Sequence, residues 1–147
     1  MADKKTAKLI MVINDTQEVL ELFELILTGE GFRVSLHSYQ VRDLKKVKEV
    51  NPDLLIVDQF YGEEALGWEL VQKMKMDRDT AHIPIVVCST EIRLLKELEG
   101  HLKAKNIGVI LKPFDIDDLI FAVNQALADA EQYHRPDGKE KVDKDNN

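Results

Sequence analysis

Apolar residues along this chain fall into two patterns. Leu9 to Ile13, Leu54 to Val57, Ile83 to Cys88 and Val109 to Leu111 are near-continuous apolar runs, as expected of strands covered on both faces of a parallel sheet. Phe32, Val34 and Leu36 alternate with polar residues and predict a strand nearer a sheet edge. The stretches between them carry helical spacing instead: Val19, Leu22, Phe23 and Ile26; Val41, Leu44 and Val47; Leu66, Leu70 and Met74; Leu95, Leu98 and Leu102; then Ile116, Leu119, Ile120, Val123 and Leu127. Each of these predicts a helix burying one face. Strand and helix therefore alternate five times, which argues for an open parallel sheet with right-handed crossovers and helices on both faces.

The punctuation agrees with this order. Gly29 and Gly31 close the first helix, Asn51 and Pro52 the second, Asp77 to Thr80 form a polar loop, and Asp115 is the expected N-cap of the last helix. The expected domain is 1–131. Residues 132–147 turn polar, and from His134 onward Val142 is the only aliphatic residue, so that tail cannot bury enough to order itself.

Composition narrows the function classes. The 147 residues carry 20 Lys plus Arg against 27 Asp plus Glu, a formal charge of −7, so the positive surface a nucleic-acid binder needs is not supplied. No apolar run exceeds five residues, Leu9 to Ile13 among them, far short of the ~20 that span a membrane. The start, Met1 to Lys8, lacks a signal-peptide apolar region, and the single cysteine, Cys88, excludes an internal disulfide and a cysteine-based zinc cage. A cytoplasmic location is the expectation. His37, His82, His101 and His134 lack ligand spacing and read as surface or packing residues, as Trp68 reads as a core or partner contact. No glycine-rich loop follows the first strand, which argues against a mononucleotide-binding or P-loop enzyme.

In such sheets ligands bind beyond the carboxyl ends of the strands. The first strand ends in Asn14 and Asp15, the third in Asp58, the fourth in Ser89 and Thr90, and the fifth in Lys112 and Pro113. Taken one at a time these have bland readings: Asp15 with Glu18 is a potential capping pair, Asp58 an end-of-strand turn residue, Lys112 a loop residue. What lifts them above that is co-occurrence of acid, acid, hydroxyl and lysine at the ends of four strands.

With Gly67, Glu69, Leu70 and Phe114 added, this set resembles the receiver domain of bacterial response regulators over roughly residues 8 to 130. The resemblance implies a flavodoxin-like doubly wound α/β fold, a five-stranded parallel sheet of order 2-1-3-4-5 with five helices. It also implies that Asp58 accepts a phosphoryl group, that Asp15 ligates Mg²⁺ directly, and that Asn14 makes a second or water-mediated contact. The backbone carbonyl of Phe60 would be a further metal ligand. Ser89 would donate its hydroxyl to the acyl phosphate, and Lys112, before a cis Lys112–Pro113 bond, would pair with the phosphoryl charge.

By the same resemblance the donor is a histidine kinase or phosphotransfer protein. The downstream target is a protein docked on the fourth helix, fifth strand and fifth helix. The chain would then be a signalling switch that assists its own phosphorylation and dephosphorylation rather than an enzyme. Three departures from the family pattern stand out: Asn14 in place of an acid, Gly67 nine residues past Asp58 with no proline in the intervening loop, and Val109 where an aromatic ring usually sits three residues before the lysine. Asn14 and Val109 favour an alternative, a pseudo-receiver that acts as a constitutive interaction module. A flavin- or nucleotide-binding protein of the same fold is a third reading, separable by an absorbance spectrum.

Overall fold

The structure is a computed structural model that describes residues 7–14, 16–38, 44–58, 64–89 and 106–133. Five strands form one sheet: β1 (Leu9–Ile13), β2 (Arg33–His37), β3 (Leu54–Asp58), β4 (Ile85–Ser89) and β5 (Ile107–Leu111). All pairings are parallel, in the order β2-β1-β3-β4-β5. The alternating segment is indeed the edge strand β2. Four helices are described: α1 (Gln17–Gly29), α2 (Leu44–Val50), α3 (Glu64–Met76) and the C-terminal helix α4 (Ile116–Tyr133). The predicted helix with Leu95, Leu98 and Leu102 lies outside the described residues, as do Val41 and the polar tail from His134.

The continuous apolar runs follow from the two-residue period of a strand. Ile10, Val12, Leu54, Ile56, Val86, Cys88 and Ile110 face one layer with Leu20, Phe23 and Leu27 of α1 and Leu119, Val123 and Ala126 of α4. Their neighbours Met11, Ile13, Leu55, Val57, Ile85, Val87 and Ile107 face the other, with Val47 of α2 and Leu70, Val71 and Met74 of α3. Both faces being covered, every second residue finds a core and no polar alternation is selected.

Two expected core positions are corrected. Leu22 is 53% exposed, because α1 has apolar residues on most of its circumference and the stripe that meets the sheet is Leu20, Phe23 and Leu27. Ile116 is also 53% exposed, as the first residue of α4, ahead of the stripe that covers the sheet.

The helix ends obey local chemistry. At the end of α1, Gly31 takes φ 93°, and the N–H groups of Phe32 and Gly31 donate to the carbonyls of Leu27 (3.1 Å) and Thr28 (3.0 Å). This is the Schellman pattern, which glycine enters without steric cost. After α2, Asn51 takes φ 53° and its N–H donates to the Val47 carbonyl at 2.8 Å, with Pro52 barring further helix. At the start of α4, the Asp115 carboxylate accepts the Asp118 N–H at 2.9 Å, and the Asp118 carboxylate accepts the Asp115 N–H at 3.3 Å. That reciprocal pair is a capping box built from two aspartates. In the loop after α3, the buried Thr80 hydroxyl donates to the Met74 carbonyl at 2.8 Å, and Lys75 Nζ donates to the carbonyls of Ala81 and Ile83.

Candidate functional site

The carboxyl ends of β1, β3, β4 and β5 bring the candidate residues to one rim. Parallel pairing sets Ile13 opposite Val57, Asp58 opposite Cys88, and Ser89 opposite Leu111. Asn14 directly follows β1, and Lys112 directly follows β5. Adjacent strands lie about 4.8 Å apart, so residues 14, 58, 89 and 112, scattered through the sequence, become near neighbours in space.

Asn14 is 3% exposed and held twice. Its N–H donates to the His37 carbonyl at 3.1 Å, which continues the β1–β2 ladder one residue past the strand. Its side-chain Oδ1 accepts the Thr16 N–H at 2.7 Å, across the intervening residue. Thr16, not Asp15, is the N-cap of α1, and Glu18 sits in its first turn, so the potential capping pair of Asp15 with Glu18 does not define this helix start.

On the other side of the rim, Ser89 is 1% exposed at the end of β4. Its carbonyl accepts the Lys112 N–H at 2.9 Å, which carries the β4–β5 ladder beyond β5 and fixes the backbone of Lys112 beside Ser89. Lys112 is half-buried, and the Lys112–Pro113 bond is cis, in line with the resemblance. Val109, three residues before Lys112, is half-buried and packs on the α2–α3 side of the sheet.

His37 closes the rim at its edge. Ser35 Oγ and His37 Nε2 are 2.6 Å apart, and partial burial, followed by the charge of Lys46, holds the imidazole below its ordinary pKa. Its neutral form is therefore favoured in the fold.

Of the expected residues, Asn14, Ser89 and Lys112 are placed in full, and Asp58 is placed by its backbone at the last position of β3. Asp15, Phe60 and Thr90, like His101 and His134, lie outside the described residues, as do the side chains of Asp58 and Trp68. Gly67 falls inside α3, because that helix begins at Glu64. Cys88 is fully buried. Among the described residues no group of three His, Cys, Asp or Glu could hold a metal ion. The expected set remains chemically suited to Mg²⁺, a hard cation that takes carboxylate, carboxamide and carbonyl oxygens. One observed feature agrees with that set: Asn14 carries a carboxamide oxygen buried at the rim.

Sequence reasoning missed two features, the His37 carbonyl as an anchor for Asn14 and the Asn14–Thr16 contact. The second had a signal, since asparagine favours side-chain bonds to the backbone two residues on.

Fold and rim together define a doubly wound α/β domain with the candidate residues gathered at the carboxyl ends of β1, β3, β4 and β5. The chain matches the response regulator receiver domain over residues 10–124 and belongs to that family. It is 28% identical over 119 residues to the transcriptional regulatory protein ZraR of Klebsiella oxytoca, covering 81% of this chain and 26% of that protein. It is 25% identical over 118 residues to the DNA-binding response regulator MtrA of Mycobacterium tuberculosis H37Rv, covering 80% of this chain and 50% of that protein. The chain thus spans a quarter to a half of the length of these relatives. Two solved structures share the fold: the chemotaxis response regulator CheY4 of Vibrio cholerae (TM-score 0.66, 23% identity, 82% of this chain and 99% of that one) and a CheY-like receiver domain protein of Methanospirillum hungatei (TM-score 0.69, 21% identity, 86% and 98%). Among the described residues, no helix is long and apolar enough to cross a membrane.

Proposed function

We propose that this receiver domain is a phospho-accepting switch in which Asp58 takes a phosphoryl group from the phosphohistidine of a partner kinase or phosphotransfer protein. An Asp58 carboxylate oxygen forms the new P–O bond as the P–N bond breaks, and the released imidazole nitrogen takes a proton from solvent. Bound through Asp15, Asn14, Asp58 and the Phe60 carbonyl, Mg²⁺ would neutralise charge on the phosphoryl oxygens. Ser89 donates its hydroxyl to the transferred group, and Lys112 pairs with its remaining charge. The chain contributes no turnover of an external substrate; it assists its own modification and its reversal. Output is by protein contact through the face that includes β5 and α4, where Leu111 and Phe121 are exposed. A cytoplasmic setting accompanies this reading.

The observation that carries the proposal is the meeting of three strand ends: Asp58 closing β3, Ser89 closing β4, and Lys112 tied by its N–H to the Ser89 carbonyl. The constitutive-module reading draws on Asn14, which removes a carboxylate, and on Val109, half-buried and without a ring to rotate. Mass spectrometry after treatment with acetyl phosphate and Mg²⁺ separates the two. The proposal expects a gain of one phosphate that Asp58→Asn abolishes. No gain in the wild type supports the constitutive module, and a gain retained at the wild-type rate by Asp58→Asn removes Asp58 as acceptor.

A further inference from the structure

We infer that α2 is a strap held closed by an ionic latch, Lys48 on Asp77 and Asp79, and that it lifts from the sheet as a unit when the charge of that latch is screened or removed. The inference stands apart from the reading of Asp58.

The strap side is thinly packed. Among the seven residues of α2, Val47 alone is buried, with Leu44 and Val50 half-buried beside it, whereas α1 and α4 each bury three side chains. A helix of seven residues is far below the roughly 12–15 at which isolated helices become marginally stable in water, so α2 exists by its contacts. Its place gives those contacts a consequence. The crossover from β2 to β3 has to pass β1, which lies between them, and Val47 packs in the layer of Met11, Ile13, Leu55 and Val57. Lifting α2 therefore uncovers apolar sheet.

The anchor side is rigid. Lys48 Nζ lies 3.2 Å from Asp77 Oδ2 and 3.6 Å from Asp79 Oδ2, both in the loop after α3. That loop is fixed independently of α2: the Asp79 N–H donates to Asp77 Oδ1 at 2.8 Å, the N–H groups of Thr80 and Ala81 donate to the Asp77 carbonyl, and the Thr80 hydroxyl and Lys75 Nζ tie it to backbone carbonyls. One Asp77 oxygen thus orders the loop while the other meets Lys48. The Asp79 N–H first, and then Lys48, hold the Asp77 carboxyl below its ordinary pKa, so the latch is charged. The Lys46–Glu49 pair, at 3.6 Å, stays within α2 and cannot fasten it to a neighbour. An exposed ion pair is a weak bond, and where it holds a thinly packed helix its loss frees that helix while the rest of the domain stays folded.

The test is amide exchange by NMR on the whole chain, read as protection relative to the unfolded rate of each sequence. It compares wild type with Lys48→Met, which keeps an apolar stem, and with Asp77→Asn, whose carboxamide oxygen can still take the Asp79 N–H. Either substitution should speed exchange of the α2 amides about threefold and leave those of α1 and α4 unchanged. Raising salt from about 0.01 to 1 M shortens the screening length from ~30 to ~3 Å and should accelerate α2 in the wild type as the substitutions do. The same salt step should have little effect on α2 in Lys48→Met, which retains the Lys46–Glu49 pair and so controls for it. Unchanged α2 exchange in either variant would overturn the latch. Equal acceleration in α1 and α4 would show the domain opening as a whole and overturn the strap. A salt effect as large in Lys48→Met as in the wild type would assign the screening to another pair and overturn the inference as well.

Discussion

Replacing Asp115 by alanine isolates the start of the helix that follows Lys112. In the native chain the Asp115 carboxylate accepts the Asp118 N–H at 2.9 Å, and its own N–H is taken by the Asp118 carboxylate at 3.3 Å. Alanine removes the first of these outright and leaves the second, the longer and weaker contact. An N-cap aspartate is worth about 0.5–2 kcal/mol, including its attraction to the unpaired N–H groups of the first turn, and both carboxylates are exposed, so about 1 kcal/mol is the expected loss. For a domain of this size that corresponds to roughly 3–4 °C in Tm. Asparagine caps as well as aspartate and forfeits only the charge, so Asp115→Asn should fall by about a third as much. Thermal unfolding followed by circular dichroism at low ionic strength measures both. Equal losses in the two variants would show that charge, not the hydrogen bond, holds this helix start, and a loss below about 0.3 kcal/mol in Asp115→Ala would show that the box contributes nothing.

Two further outcomes are expected. His37 has its pKa held below the ordinary 6.5 by burial and then by Lys46; between those two values the unfolded chain carries a proton that the fold does not, so stability is lost as pH drops through about 6.5 toward the folded value. Urea midpoints at pH 8 and pH 6 should fall further apart in the wild type than in His37→Gln, and parallel behaviour would remove His37 as the source. Phe60 lies two residues beyond Asp58 in the sequence, and under the proposed phospho-accepting function an apolar ring at that position would offer no hydrogen bond to align an attacking water, so Phe60→Asn should lose acyl phosphate several-fold faster, about 1 kcal/mol in barrier. Equal or slower decay after donor removal would mean that Phe60 does not guard the group.

The fold was legible because its strongest signals are periodic. Continuous runs such as Leu54 to Val57 exist only where both faces of a strand are covered, and the polar breaks of β2 marked it as an edge, where one side has no partner strand. Strand ends moved by one or two residues: β5 begins at Ile107 and β4 at Ile85, because strand bounds follow backbone pairing, and Asn106 at φ 60° is the bend that admits β5. The face of α1 was less legible. Seven of its thirteen residues, from Val19 to Leu27, are large and apolar, so spacing alone allowed Leu22 into the core, and only the position of the sheet selects Leu20, Phe23 and Leu27.

The rim shows where reading residue types stops and backbone geometry begins. Asn14, Asp58, Ser89 and Lys112 could be named because each follows or ends an apolar strand, and the order β2-β1-β3-β4-β5 turns gaps of tens of residues into steps of one strand. Two of the bonds that hold them use main-chain groups every residue possesses: the His37 carbonyl on Asn14, the Ser89 carbonyl on Lys112. No residue type announces such contacts. The consequence is that substituting Ser89 or His37 leaves these two main-chain anchors in place, whereas Asn14 anchors through its side chain as well, so that residue identity and backbone geometry are coupled there.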